Sequence, residues 1–240
     1  MQNLLLFFLL AFLLAACSNE TPAITKVESD ETNKEQSPVL IEKEKESKSD
    51  EEVERSIEFN LPKEQVLINL DQVTILKQYL AGITNKRFEI NQMQLSQVLD
   101  FESLYLLRFS CRQDTCSYLL LDQDGDGRSF LLEDLTKLDK IQTSSDKEKL
   151  LFTFNRVEDE IENPSTKLLV MDLASWKPVP LVNEQFNGNL NTYQTNIANA
   201  EWKNDNTLSI KLENTAVAPP KENNKTEDGT TIEINLENMK

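Results

Sequence analysis

Cys111 and Cys116 enclose four residues rich in turn formers, and on either side of them apolar and polar residues tend to alternate. Residues 104–110 and 117–121 therefore read as the two arms of a β-hairpin, since successive side chains of a strand point to opposite faces. With Cys111 opposite Cys116, Phe109 faces Tyr118 and Leu107 faces Leu120, which puts all four on the cysteines' own face. A structural disulfide between Cys111 and Cys116 is the expectation. On the chain-entropy account, so small a loop stabilises the fold by roughly 2 kcal/mol. The C-x-x-x-x-C spacing, with no histidine or helix start beside it, lacks the features that depress a redox-active thiol.

Period-two patterning continues beyond the hairpin. Residues 150–154, 208–212 and 232–236 read as strands; the last two alternate cleanly through Leu208, Ile210, Leu212 and Ile232, Ile234, Leu236. Residues 168–173 are almost uniformly apolar, as suits an inner strand covered on both faces. Ahead of these, Val73, Leu76, Tyr79 and Leu80 recur at helical spacing, with Asp71 placed as N-cap and Gly82 as stop, and residues 66–70 could extend that helix. A short helix is expected over 94–99. The fold class is mainly β with an N-terminal helix, built of antiparallel hairpins.

Composition separates this part from what precedes it. Residues 18–58 hold thirteen acidic and six basic residues and no aromatic one before Phe59. So polar a segment buries too little apolar surface to offset its ordering entropy, and residues 17–59 are expected to be a disordered acidic linker before a β-rich domain over 60–240. The net charge of -16 argues against nucleic acid, which needs a basic surface. There is no histidine, so Ser-His-Asp and Cys-His nucleophiles and the commonest zinc sites are absent. Asp159 and Glu160 imitate a glycosidase pair but lie in a charged, proline-bounded loop. The sequence carries no catalytic motif.

The sharpest local motif is Asp122, Gln123, Asp124, Gly125, Asp126, Gly127, then five residues to Glu133. It resembles the calcium loop of EF-hand proteins at every specified position. That resemblance implies side-chain oxygens from Asp122, Asp124 and Asp126, the backbone carbonyl of Arg128 and two oxygens from Glu133. The outcome depends on the conformation of the chain after Gly127. A helix capped by Ser129 brings Glu133 back over the loop and completes a calcium site. A return strand carries Glu133 away at about 3.3 Å per residue and leaves Asp-Gly as a hairpin turn.

The chain opens with an unbroken apolar run over residues 4–14, closing on Leu14, Ala15, Ala16 and Cys17. Eleven apolar residues fit the hydrophobic region of a secretory signal, since crossing a bilayer as a helix takes roughly 20. The Leu-Ala-Ala-Cys ending resembles the lipobox of bacterial lipoproteins. The resemblance implies a signal peptide over 1–16, diacylglycerol-type acylation of Cys17 and residence on the outer face of a cell membrane, held there by the lipid. Met1, Gln2 and Asn3 lack the basic residues of that family's signals. A second, partial resemblance runs over about 104–212. Ser145, Asp146 and Lys147 before a strand, Asn155 and Arg156 after it, and Ala200, Glu201 and Trp202 ahead of Leu208 look like blades of TolB-type or WD-repeat-like β-propellers. The family's Pro and Gly at the Asp-Gly turn are missing. About three blades of ~40 to 45 residues would fit, too few for a closed ring. The expected function is a membrane-anchored, non-enzymatic module that binds or scaffolds a protein or other envelope ligand; the alternative is a calcium-binding version using the loop at 122–133.

Overall fold

A computed structural model describes residues 22–27, 37–44, 53–124, 127–156, 165–183, 188–213 and 230–238. Four strands come first: β1 (Ile24–Val27), β2 (Val39–Glu44), β3 (Val53–Asn60) and β4 (Gln65–Asn69). They form an antiparallel sheet in the order β1-β4-β3-β2. One rung carries Ile24, Ile68, Ile57 and Leu40 across all four, and its three isoleucines are buried. Three of these strands fall inside the segment expected to be disordered. Their apolar content is low because, among the described side chains, β1 buries Ile24 and β3 buries Ile57 and Phe59, while Leu40 of β2 is only partly buried against them, and the burial becomes favourable only when β4 and the next sheet supply the other half of the core. Residues 66–70 likewise extend no helix; Gln65–Asn69 is strand β4.

Helix α1 (Thr74–Ala81) buries Leu76 and Leu80, and Gly82 ends it. Asp71 does not cap it: Val73 occupies the N-cap without a side-chain hydrogen bond, and Asp71 instead pairs with Lys77 at 2.7 Å. The helix follows a sheet rather than opening the domain. Helix α2 (Lys86–Gln92) is capped by Asn85, whose side chain accepts from the Phe88 amide. Met93 turns the chain extended, so residues 94–97, expected in a helix, form strand β5 (Gln94–Gln97) and Leu95 pairs with Leu107.

The meander continues through β6 (Leu104–Arg112), β7 (Thr115–Asp122), β8 (Ser129–Thr143), β9 (Lys149–Arg156), β10 (Ser165–Asp172) and β11 (Lys177–Val179), seven antiparallel strands hydrogen-bonded in chain order from β5. Strand β8 serves two partners. Up to Thr136 it pairs with β7, and from Lys137 with β9; Leu135, at φ 49°, lies at the change. A short pair, β12 (Val182–Asn183) and β13 (Gly188–Asn189), leads to a three-stranded sheet of β14 (Ile197–Asn204), β15 (Thr207–Leu212) and β16 (Thr231–Asn235).

Three apolar cores separate these layers. Ile57, Phe59, Val66, Ile68, α1 and α2 pack on Tyr105, Leu107, Phe109, Leu119 and Leu121 of β6 and β7. The opposite faces of β6 and β7, through Leu106, Tyr118 and Leu120, meet Phe152, Phe154, Leu169 and Met171 of β9 and β10. Leu151, Leu168 and Val170 then meet Leu208, Ile210 and Ile234. The apolar run at 168–173 is thus an inner strand covered on both faces, as its composition implies. Among the described residues the sheets close into neither a barrel nor a ring.

The hairpin register departs from expectation by one residue. Arg112 pairs with Thr115 beside the turn, but Phe109 pairs with Ser117, Leu107 with Leu119 and Leu106 with Leu120. A bulge at Ser110, φ 52°, absorbs the extra residue. Because side chains alternate, this slip sends Phe109 and Leu107 into the first core while Tyr118 and Leu120 enter the second.

Candidate functional site

Cys111 and Cys116 are joined by a disulfide with Cα atoms 4.1 Å apart. Cys116 is fully buried in the second core, and the Arg108 guanidinium donates from Nε to Cys116 Sγ at 2.8 Å. The bridge fixes the tip of the β6–β7 hairpin beyond the Ser110 bulge.

At the other end of β7 lies the acidic motif. Leu121 pairs with Ser129, so the chain returns as a strand after Gly127. Asp122 is buried and its Oδ2 accepts from Arg128 Nη2 at 2.6 Å and Nε at 3.2 Å. Its Oδ1 accepts from the Asp124 amide at 3.1 Å. The Arg128 carbonyl, the backbone ligand of the expected calcium cage, accepts from the Asp122 amide at 2.9 Å instead. The Arg128 guanidinium lies 4.6 Å from the centre of the Trp176 ring, a cation–π contact that covers the outer face of the ion pair. Asp126 and Gly125 lie outside the described residues.

Glu133 lies away from the loop. It sits opposite Tyr118 within the strand pairing, roughly 13 Å along β8 from Ser129 at the strand rise per residue, and forms an ion pair with Lys167 of β10. The hairpin therefore keeps it from Asp122 and Asp124, and no group of three or more acidic, cysteine or histidine side chains is placed to hold a metal among the described residues.

The turn has a different use. Gly127 adopts φ +67°, and a Cβ there would lie 2.7 Å from Ala23 Cβ and 2.8 Å from Ala23 N. Its lack of a side chain lets the turn abut the residue before β1. Ala23 is buried, and its carbonyl accepts from the Asn69 amide at 2.8 Å. The turn is thus a seat for the start of the first strand. Cys17 lies outside the described residues, and the six peptide steps from Cys17 to Ala23 span at most about 21 Å when fully extended.

A second polar cluster bridges β8, β9, β10 and the loop before β14. Beside the Glu133–Lys167 pair stands Tyr193, with Arg156 at 4.3 Å over its ring. Burial first, and the Glu133 charge second, raise the Tyr193 hydroxyl far above the usual phenol range. It faces Thr136 and Glu133, yet neither Tyr193 Oη nor Thr136 Oγ1 makes a hydrogen bond of good geometry. The cluster holds charge in place, with Glu133 paired to Lys167. Sequence offers no signal for it, because residues 133, 136, 156, 167 and 193 meet only through the pairing and stacking of strands distant in the chain. Trp202 donates from Nε1 to the Gln142 carbonyl at 3.3 Å, a sheet-edge role. Asp159 and Glu160 lie outside the described residues.

Comparison with protein-family models, with curated proteins and with solved structures gave no match.

Proposed function

We propose that this is a lipid-anchored protein of a bacterial cell envelope, exposed outside the cytoplasm, whose β-layered domain binds or scaffolds a protein or envelope ligand and performs no catalysis. The observation that carries the reading is the apolar run at 4–14 ending in Leu14, Ala15, Ala16 and Cys17. The Cys111–Cys116 disulfide supports it, since such bonds persist in oxidising compartments. No helix among the described residues is long and apolar enough to cross a membrane. Successive antiparallel hairpins laid face to face support the finer reading of an open stack of blade-like units. Such stacks present strand edges and loops to partners rather than one enclosed cleft.

Metabolic labelling with palmitate tests the reading. The parent chain is expected to take up label and fractionate with membranes, and Cys17→Ser to lose both. Label retained by Cys17→Ser, or absent from the parent, overturns it. The calcium-dependent alternative draws no support from the turn at 122–128, where Arg128 occupies the oxygen that the cation would need.

A further inference from the structure

If Cys17 is acylated, the span of at most about 21 Å to Ala23 keeps the first sheet close to the bilayer, whereas a linker running to residue 59 would let it stand far off. The face that meets the membrane can be sought around that sheet. From β1 to the opposite edge strand β2 is three strand spacings, roughly 14 Å. There α2 packs against β2, its Ile90 buried beside Leu40, and the two bound a groove of about 550 Å³ lined by Pro38, Val39, Leu40, Arg87 and Ile90. Beside the groove Phe88 is 57% exposed and Val39 48%.

Two cations accompany these apolar groups. Lys86 and Arg87 are exposed and carry no carboxylate partner among the described residues, a state shared by other exposed cations such as Lys63 and Lys137; what sets these two apart is the exposed Phe88 next to them. Of the neighbouring acids, Glu42 pairs with Arg55 at 3.2 Å, while Glu89 is held toward α1 by the Tyr79 hydroxyl at 2.8 Å and still counts as a negative charge, so the face carries a net of one positive charge from Lys86, Arg87 and Glu89. On a chain of net charge -16, this juxtaposition of an exposed phenylalanine with two exposed cations defines a preferred orientation toward a negative surface.

We propose that Lys86, Arg87 and Phe88 of α2, with Val39 of β2, form a membrane-contact face that rests on anionic phospholipid headgroups. Phe88 would enter the headgroup–acyl boundary and the two cations would meet the phosphates, an arrangement favoured for apolar groups flanked by Lys and Arg at interfaces. This rests on the lipid-anchor reading. An acidic chain can still carry a basic contact face.

The test uses the lipidated full mature chain in phosphatidylglycerol vesicles and in phosphatidylcholine vesicles. Mass spectrometry first establishes the lipid on Cys17, and hydrogen exchange is then followed at residues 37–42 and 86–92. Each basic residue near an anionic surface is worth about 1 kcal/mol, or roughly fivefold in partitioning. Exchange is therefore expected to slow in phosphatidylglycerol alone, and Lys86→Gln with Arg87→Gln to shift docking by about thirtyfold while leaving the melting temperature unchanged. Phe88→Ser should weaken the same protection. An unlipidated Cys17 overturns the anchor reading and this one with it. A lipidated chain with equal exchange in both vesicles overturns only the contact face. Protection that follows protein concentration rather than lipid charge assigns the face to a second copy and equally refutes the proposal.

Discussion

Replacing Gly127 by alanine tests whether the acidic turn is a seat for the first strand. A non-glycine residue in the left-handed region costs roughly 1–2 kcal/mol. The added Cβ would also stand 2.7 Å from Ala23 Cβ and 2.8 Å from Ala23 N, so relief requires Ala23 to move as backbone rather than as a flexible side chain. That movement weakens the Asn69-to-Ala23 hydrogen bond of 2.8 Å, worth about 1 kcal/mol net. Together these give a destabilisation of about 2–3 kcal/mol, or a fall of roughly 4–12 °C in melting temperature for a domain of this size. Thermal melts by circular dichroism read the total, and hydrogen exchange at residues 22–27 locates it. Gly127→Asn separates the causes, because asparagine tolerates the left-handed backbone yet brings the same Cβ. A Gly127→Ala melt within about 0.5 kcal/mol of the parent, with exchange unchanged at 22–27, would refute the seat.

Other contacts give three further expected outcomes. Ser110→Gly relieves a residue at φ 52° and should stabilise the oxidised protein by about 1 kcal/mol in urea unfolding; destabilisation would mean that the serine side chain holds the bulge. Glu133→Gln leaves Lys167, whose side chain is 19% exposed, without its carboxylate. A loss of roughly 1–3 kcal/mol is expected in urea, mostly restored by Lys167→Met in the same chain; an equal loss in the double variant would show that Glu133 acts through Tyr193 instead. Burial alone would raise the Asp146 carboxyl, but hydrogen bonds from Ser144 and the Glu148 amide and the Lys149 charge together hold it below its ordinary 3.8. Its contribution is present above pH 3.8 and is lost as pH falls through the depressed folded value. Asp146→Asn should therefore narrow its stability gap from the parent only in that acid range, and a gap that instead widens there in melts at stepped pH would reverse the sign.

Much of the sheet content was legible in the chain. Alternation at Leu208, Ile210 and Leu212 and the uniform run at 168–173 placed strands correctly, because burial on one face or two imposes a period that single residues record. The disulfide was legible for the same reason. Its register was not: the bulge at Ser110 depends on competition between two cores for Phe109 and Tyr118, and neither core is visible from seven residues of alternation. Strands β1–β3 escaped because their charged composition resembles a linker, and their few apolar residues gain from burial only against β6 and β7.

The acidic motif shows the same division. Spacing alone admits both a calcium loop and a hairpin turn, since both need carboxylates, a glycine and a tight reversal. The choice was made by β7 and β8 pairing, which carried Glu133 to Lys167 and gave Asp122 to Arg128. By itself the sequence determined the period of the strands, the cysteine pair that could bridge, and the apolar N-terminus with its Cys17 ending, because each is written in neighbouring residues. Only the tertiary structure decided which strands share a core, what Asp122 and Glu133 bind, and that Gly127 must stay bare for Ala23. Those outcomes are set by groups distant in the chain, which exclude water and one another only once the layers have stacked.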